Sequence, residues 1–291
     1  MSVTVAPPTG LDDAAIDRVV DVALDEDLRD GPDATTRATV PAGAVAVGAF
    51  RTRPPGTLAG VGVAVRVLQR VCGDELELLD ARADGDRLAA GDTALAVRAP
   101  LATLLTAERT ALNLLCQLSG VATATSAWVD AVAGTGARIR DTRKTVPGLR
   151  ALQKYAVRCG GGVNHRMSLG DAVLIKDNHV AAAGSVTAAY RAARSVAPDL
   201  PCEVEVDSLA QLDEALDLGV ELVLLDNFTP EQCAEAVRRR DTIRRTTGLE
   251  VSGGLTIDSA RAYAVTGVDY LSVGGLTHSA PALDLGLDLE T

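Results

Sequence analysis

The stretch 141–179, DTRKTVPGLRALQKYAVRCGGGVNHRMSLGDAVLIKDNH, gathers Arg143, Lys144, Lys154, Arg158, His165, Arg166, Lys176 and His179 in a chain whose formal net charge is -11. So many cations against an acidic background call for an anionic ligand. Gly160 to Gly162 precede Asn164-His165-Arg166, and the apolar run Ala172-Val173-Leu174-Ile175 ends at Lys176. Cations beside a flexible turn or at the end of a buried strand are costly unless paired. Arg143, Lys144, His165, Arg166 and Lys176 are therefore read as a binding set. Lys154 and Arg158, four apart on an expected helix, read instead as a solvated basic face.

The elements that must position these groups follow from periodicity. Beyond Gly134, strand candidates at 138–141, 172–176, 203–206, 221–226, 249–252 and 269–273 are separated mostly by helical stretches such as 185–196, 208–218, 230–245 and 257–266. Six strands in βα alternation predict a parallel sheet, either closed into a reduced barrel or left open and doubly wound. In both, working groups collect just past the carboxyl ends of strands. Lys176, Glu205, Asp226, Ser252-Gly253-Gly254 and Gly274-Gly275 stand at such ends. The two glycine turns, after the last two strands, suit a phosphate cradled by bare backbone N–H groups. Glu205 and Asp226 are acceptor-only groups that suit ribose hydroxyls or hydrated magnesium, unless they are ordinary salt-bridge partners. Alternation puts Glu203, Glu205 and Asp207 on one strand face, so periodicity does not choose among them.

The first part of the chain has a different texture. A helix is expected over 11–28, an extended region from Asp33-Ala34-Thr35-Thr36, strands at 45–50, 76–79 and 93–97, a helix over 61–72, and helices over 101–118 and 121–133. Strands and helices without regular alternation predict an α+β sandwich. At 291 residues and 47% hydrophobic the chain can bury a substantial core. Aromatics at 2% and the negative net charge argue against nucleic-acid binding. Five cysteines without CxxC spacing suit reduced thiols in a cytoplasm. No run is long and apolar enough for a membrane span, and MSVTVAPPTG reads as a short flexible tail.

The motifs TRKTxPGLRxLxKYAVRxGGGxNHR, LIKDNHV, EVEVDS, LLDN, SGG and SVGGLTHS follow one another over nearly the whole chain. In this the chain resembles the quinolinate phosphoribosyltransferase family, with small departures at Asp141, Gln153 and Met167-Ser168. The resemblance implies an α/β protein: an N-terminal α+β open-faced sandwich domain (1–110) followed by an atypical six-stranded parallel α/β barrel (111–275), with the tail 276–291 packing back on the first domain. It implies transfer of phosphoribosyl from phosphoribosyl pyrophosphate to quinolinate with decarboxylation, magnesium as Mg2+ being required. The quinolinate dianion falls to Arg143, His165, Arg166 and Lys176, joined by Arg109 from a neighbouring subunit of a homodimer, with a hexamer as a higher assembly. Lys144 suits pyrophosphate, and Lys144, Glu205 and Asp226 are the catalytic candidates. Thr142, Ser252, Gly253, Gly254, Val273, Gly274 and Gly275 complete the expected substrate site. A molybdenum-locus relative of the same fold acting on another substrate, an aldolase-type barrel with Lys176 as Schiff base and a non-catalytic anion-binding protein are the rival readings.

Overall fold

The computed structural model describes residues 10–290, and the expected flexible tail falls almost wholly outside the described residues. In chain order the helices are α1 (Asp13–Leu28), α2 (Ala34–Thr39), α3 (Val61–Cys72), α4 (Leu101–Ala131), α5 (Arg150–Cys159), α6 (Asp177–Ala183), α7 (Val186–Val196), α8 (Leu209–Leu218), α9 (Pro230–Ile243), α10 (Ile257–Ala264) and α11 (Gly275–His278). The strands are β1 (Val45–Thr52), β2 (Gly56–Thr57), β3 (Glu77–Ala81), β4 (Arg87–Leu88), β5 (Thr93–Pro100), β6 (Arg138–Arg140), β7 (Val173–Ile175), β8 (Cys202–Val206), β9 (Leu222–Asp226), β10 (Gly248–Ser252), β11 (Tyr270–Ser272) and β12 (Leu285–Glu290). The chain divides into two compact units, one of residues 1–126, 145–161 and 275–291, the other of 127–144 and 162–274. Among the described residues no helix is long and apolar enough to cross a membrane.

The first unit carries an antiparallel sheet in the order β12-β1-β5-β3. The last strand of the chain thus pairs with the first, Val47 opposite Glu290 and Thr52 opposite Leu285. Phe50, Leu95 and Val97 are fully buried with Val63, Ala64, Val67 and Leu68 of α3 and with Leu104, Leu112 and Leu115 of α4. This apolar set is the core of the unit, since each of its Phe, Leu and Val side chains gains about 1.5–3 kcal/mol on leaving water.

Three expectations are corrected here. The region opening at Asp33 is not extended: Asp33 caps α2, its Oδ1 accepting the Thr36 N–H at 3.0 Å, and an N-cap carboxylate lets even six residues close a helical turn. The helices expected at 101–118 and 121–133 are one helix, α4, and the first unit continues past 110/111 to residue 126 within that helix. Ser119 and Gly120 do not break α4; they let backbone approach it. Ser119 Oγ bonds both the N–H and the carbonyl of Ala59, each at 3.1 Å, and a Cβ on Gly120 would collide with the Pro281 carbonyl and lie 2.8 Å from Ala282 Cα. Finally, Lys154 is not on a solvated face. Residues 152–157 of α5 are all buried and only Arg158 of the pair is exposed, so the i,i+4 spacing says they share a stripe and not where it points.

The second unit holds a wholly parallel sheet in the order β6-β11-β10-β9-β8-β7. Beside edge strand β6 runs the segment from Val163, which bridges Arg140, while Arg166 Nη1 donates to the Ala172 carbonyl just ahead of the other edge strand, β7, at 2.9 Å. Period-2 alternation sorts every strand into two faces. Ile139, Ile175, Val204, Val206, Val223, Leu225, Leu249, Val251 and Leu271 form an apolar face that is buried throughout. The paired registers put Glu203 and Glu205, Leu224 and Asp226, Glu250 and Ser252, and Ser272 and Arg140 on the opposite face. Gly120→Val should lower stability by about 1–3 kcal/mol, read as a fall in thermal midpoint; an unchanged midpoint would mean that the close approach of Pro281 to α4 is not a constraint.

Candidate active site

The polar face of the parallel sheet opens on a cavity of about 350 Å³, lined by Thr142, Arg143, Lys144, His165, Arg166, Leu174, Lys176, Glu205, Leu224, Asp226, Glu250, Ser252 and Ser272. Nine of the residues expected from sequence are thus brought to one wall: Thr142, Arg143, Lys144, His165, Arg166, Lys176, Glu205, Asp226 and Ser252. Gly253, Gly254, Val273 and Gly274 lie in the turns after β10 and β11 without being lining residues, and Gly275 begins α11. Arg109 is exposed on α4 in the first unit and does not line the cavity.

Depth along β8 separates the three acids that periodicity left equivalent. Glu203 is buried, Glu205 is half-buried at the mouth, and Asp207 lies exposed past the strand end. Glu205 accepts from Lys176 Nζ in an ion pair across the neighbouring strand ends, so it has the neutralising partner that the sequence did not show. Asp226 is held by Asn227, whose Nδ2 donates to Asp226 Oδ2 at 2.8 Å. Asn227 has φ 56°, a left-handed conformation that asparagine tolerates, and its own N–H donates to the Ser252 carbonyl at 2.9 Å. Gly253, at φ 97°, leaves the room that the Asn227 side chain occupies. His179 serves the helix rather than the cavity, its Nδ1 accepting the Lys176 N–H at 2.9 Å at the start of α6.

His165, Glu250 and Ser272 of this wall belong to a network that the sequence reading missed. Arg140 pairs with Glu250, which also accepts from Ser272 Oγ, and the Arg140 guanidinium stacks 4.9 Å above the Tyr270 ring. Asp141, fully buried, accepts the His165 N–H at 2.8 Å and Asn164 Nδ2 at 2.5 Å. His165 Nε2 sits 2.8 Å from Glu203 Oε2 and 3.8 Å from Glu250 Oε1. A signal was available: a charge inside so short a buried strand as RIR or LEV has to find a buried partner. His165, Glu203 and Glu250 each bring one ligand atom within 4.8 Å of the others, a spacing that a metal ion could span. However, the Arg166 N–H donates to His165 Nδ1 at 2.7 Å, so the proton of the neutral ring is on Nε2 and no lone pair faces the carboxylates. The cluster is a hydrogen-bonded one.

Burial pushes the Glu203 carboxyl up to about 7 against the pull of Arg140 and Arg166, and burial followed by the like charge of Glu203 raises Glu250. Arg166 is lowered by its burial and then by the neighbouring Arg143. Since the folded state holds the Glu203 proton more tightly than the unfolded chain, this contribution to stability is complete below pH 4.5 and is lost as pH rises through about 7. Glu203→Gln should remove that loss, on the order of 3 kcal/mol. Denaturant titrations of variant and wild type between pH 4 and 8 measure it, and parallel pH profiles would contradict it.

The family models described as the N-terminal and the C-terminal domain of quinolinate phosphoribosyl transferase match residues 33–119 and 121–288. A nicotinate-nucleotide pyrophosphorylase [carboxylating] of Mycobacterium leprae is 62% identical over 268 residues, 92% of this chain and 94% of its own length. The crystal structure of NadC from Streptococcus pyogenes superposes with a TM-score of 0.91 at 40% identity, covering 97% of this chain and 100% of that one. That of the nicotinate-nucleotide pyrophosphorylase from Francisella tularensis gives 0.89 at 34% identity, covering 99% and 100%. Matched in both of its domain models and along almost its full length, the chain belongs to the quinolinate phosphoribosyltransferase family.

Proposed function

We propose that this protein transfers the phosphoribosyl group of phosphoribosyl pyrophosphate to quinolinate, with loss of one carboxylate as carbon dioxide, to give nicotinate mononucleotide and pyrophosphate in NAD biosynthesis. The observation that carries the reading is the single cavity wall on which Arg143, Lys144, Arg166 and Lys176 face Glu205, Asp226 and Ser252, in a chain of that family. Quinolinate has two adjacent carboxylates, which guanidinium groups grip in bidentate fashion and an ammonium serves as a point charge. Arg143 Nε is a buried donor without a hydrogen-bond partner among the described residues, which suits a group awaiting an anionic ligand.

In the reaction, the quinolinate ring nitrogen forms a bond to the anomeric carbon as the bond from that carbon to pyrophosphate breaks, the leaving group keeping the electron pair. Positive charge develops on the ribose ring, and the Glu205 and Asp226 carboxylates at its rim stabilise it electrostatically. Lys144 meets the departing pyrophosphate. The pyridinium nitrogen then draws the electrons of the bond to the adjacent carboxylate, carbon dioxide departs, and a proton from water takes its place. The protein positions and neutralises; little nucleophilic activation is needed.

Mg2+ is the proposed cofactor. Glu205 and Asp226 are hard oxygen donors at adjacent strand ends, each only half-buried, and they fit a hydrated magnesium ion, which when bound neutralises pyrophosphate charge. A homodimer to which each chain gives Arg109 across the interface is the proposed minimum unit, with hexamers as a higher assembly. A cytoplasmic location fits five free cysteines.

The test is a coupled assay for pyrophosphate and carbon dioxide with quinolinate against nicotinate. Turnover of quinolinate alone is expected, and equal turnover of nicotinate would overturn the substrate assignment. Arg143→Ala and Arg109→Ala should each cost about 2–5 kcal/mol of transition-state stabilisation. Mixing the two inactive variants should restore part of the activity; no recovery would remove Arg109 from the shared site.

A further inference from the structure

His165 lines the cavity among the cations, and a histidine there is naturally counted as one more ligand for the dianion. Its hydrogen bonds point elsewhere. Nδ1 accepts the Arg166 backbone N–H at 2.7 Å and Nε2 faces Glu203 Oε2 at 2.8 Å, while the ring is only 8% exposed. An N–H donor at Nδ1 leaves the ring proton on Nε2, where it is given to Glu203. Both nitrogens are committed to the protein, and the ring offers the cavity only its carbon edge. The residue is also fixed through its backbone, since the His165 N–H donates to buried Asp141 at 2.8 Å. Arg166 in turn is held at both ends, by His165 at its backbone and by the Ala172 carbonyl at Nη1, 2.9 Å away.

We propose that His165 is a positioning residue and not a substrate ligand: as the Nε2–H tautomer it ties the Arg166 backbone to Glu203 and so fixes where the Arg166 guanidinium meets the substrate carboxylate. The proposal rests on the quinolinate reading for the identity of that carboxylate, but the tautomer and the linkage do not. Asp141 and Glu203 are then the two anchors of the device. Arg143 and Arg166 stand close enough for the charge of one to lower the other, so a loosened Arg166 backbone would let the two guanidinium groups separate.

Two measurements test it. Proton–nitrogen correlation spectra of the wild-type protein, with His165 assigned among the three histidines by the signal lost in His165→Asn, should show a protonated Nε2 and a bare Nδ1, unchanged when quinolinate is added. A protonated Nδ1, or a ring that changes state on quinolinate binding, overturns the proposal. In the second, quinolinate KM is measured in a double-mutant cycle of His165→Ala with Arg166→Ala. His165→Ala alone should raise KM on the order of 10- to 100-fold, should add no more than about twofold in the Arg166→Ala background, and should be largely rescued by His165→Asn, whose Oδ1 can take the place of Nδ1. Independent, multiplying effects, or an asparagine variant as poor as the alanine one, mark His165 as a ligand. Wild-type turnover is assayed first: if quinolinate is not converted, the functional reading fails while the spectra still decide the tautomer.

Discussion

The structure depends on how charge is kept inside a parallel sheet. Glu203 and Glu250, on the polar face of β8 and β10, are 5% and 0% exposed. Left alone, each carboxylate would forfeit several kcal/mol of hydration. Arg140 and Ser272 meet that demand at Glu250 and His165 meets it at Glu203 Oε2, while Glu203 Oε1 has no hydrogen-bond partner among the described residues. Such a network adds little to net stability, because apolar side chains of the same volume would do as well or better. Its effect is geometric: every member has a fixed partner, so the lining residues among them, His165, Glu250 and Ser272, cannot drift.

The same sheet explains why one face can be a core and the other a reactive wall. In a strand only alternate residues share a face, so Val204 and Val206 can be fully buried apolar packing while Glu203 and Glu205, alternating with them, face the other way. The parallel registers then bring equivalent positions of β8, β9, β10, β11 and β6 side by side. Acids deep on this face hold the network together, and acids at the carboxyl ends, Glu205 and Asp226, remain half-exposed and available. Position along the strand thus decides whether a carboxylate is structural or chemical.

Much of this was legible in the sequence. The six parallel strands lie within a residue or two of their expected positions, since buried apolar runs between helical stretches leave few alternatives, and the cavity wall gathers Lys176, Glu205, Asp226 and Ser252 from the strand ends, though not the glycines beside them. What escaped were features decided by a distant contact. Gly120 looks like a break until Pro281 is seen against it. Lys154 looks solvated until α5 is seen enclosed. Arg140 and Glu250 carry no local sign of each other, being 110 residues apart, and only the ladder β6-β11-β10 brings them together.

A chain with a net charge of -11 repels small anions at long range, yet its cavity wall carries Arg143, Lys144, Arg166 and Lys176. The two facts are compatible because solvent ions screen the outer acids over about 8–10 Å, whereas the low-dielectric wall does not screen the inner cations as well. Local acids moderate the attraction: Lys176 is already paired with Glu205. An incoming carboxylate must share that ammonium, and a developing positive charge on the ligand would in turn be shared with Glu205. A pair of this kind favours neither a pure anion nor a pure cation; it favours a ligand that is anionic at one end and becomes cationic at the other, which is the charge pattern of an aromatic dicarboxylate attacking an activated sugar.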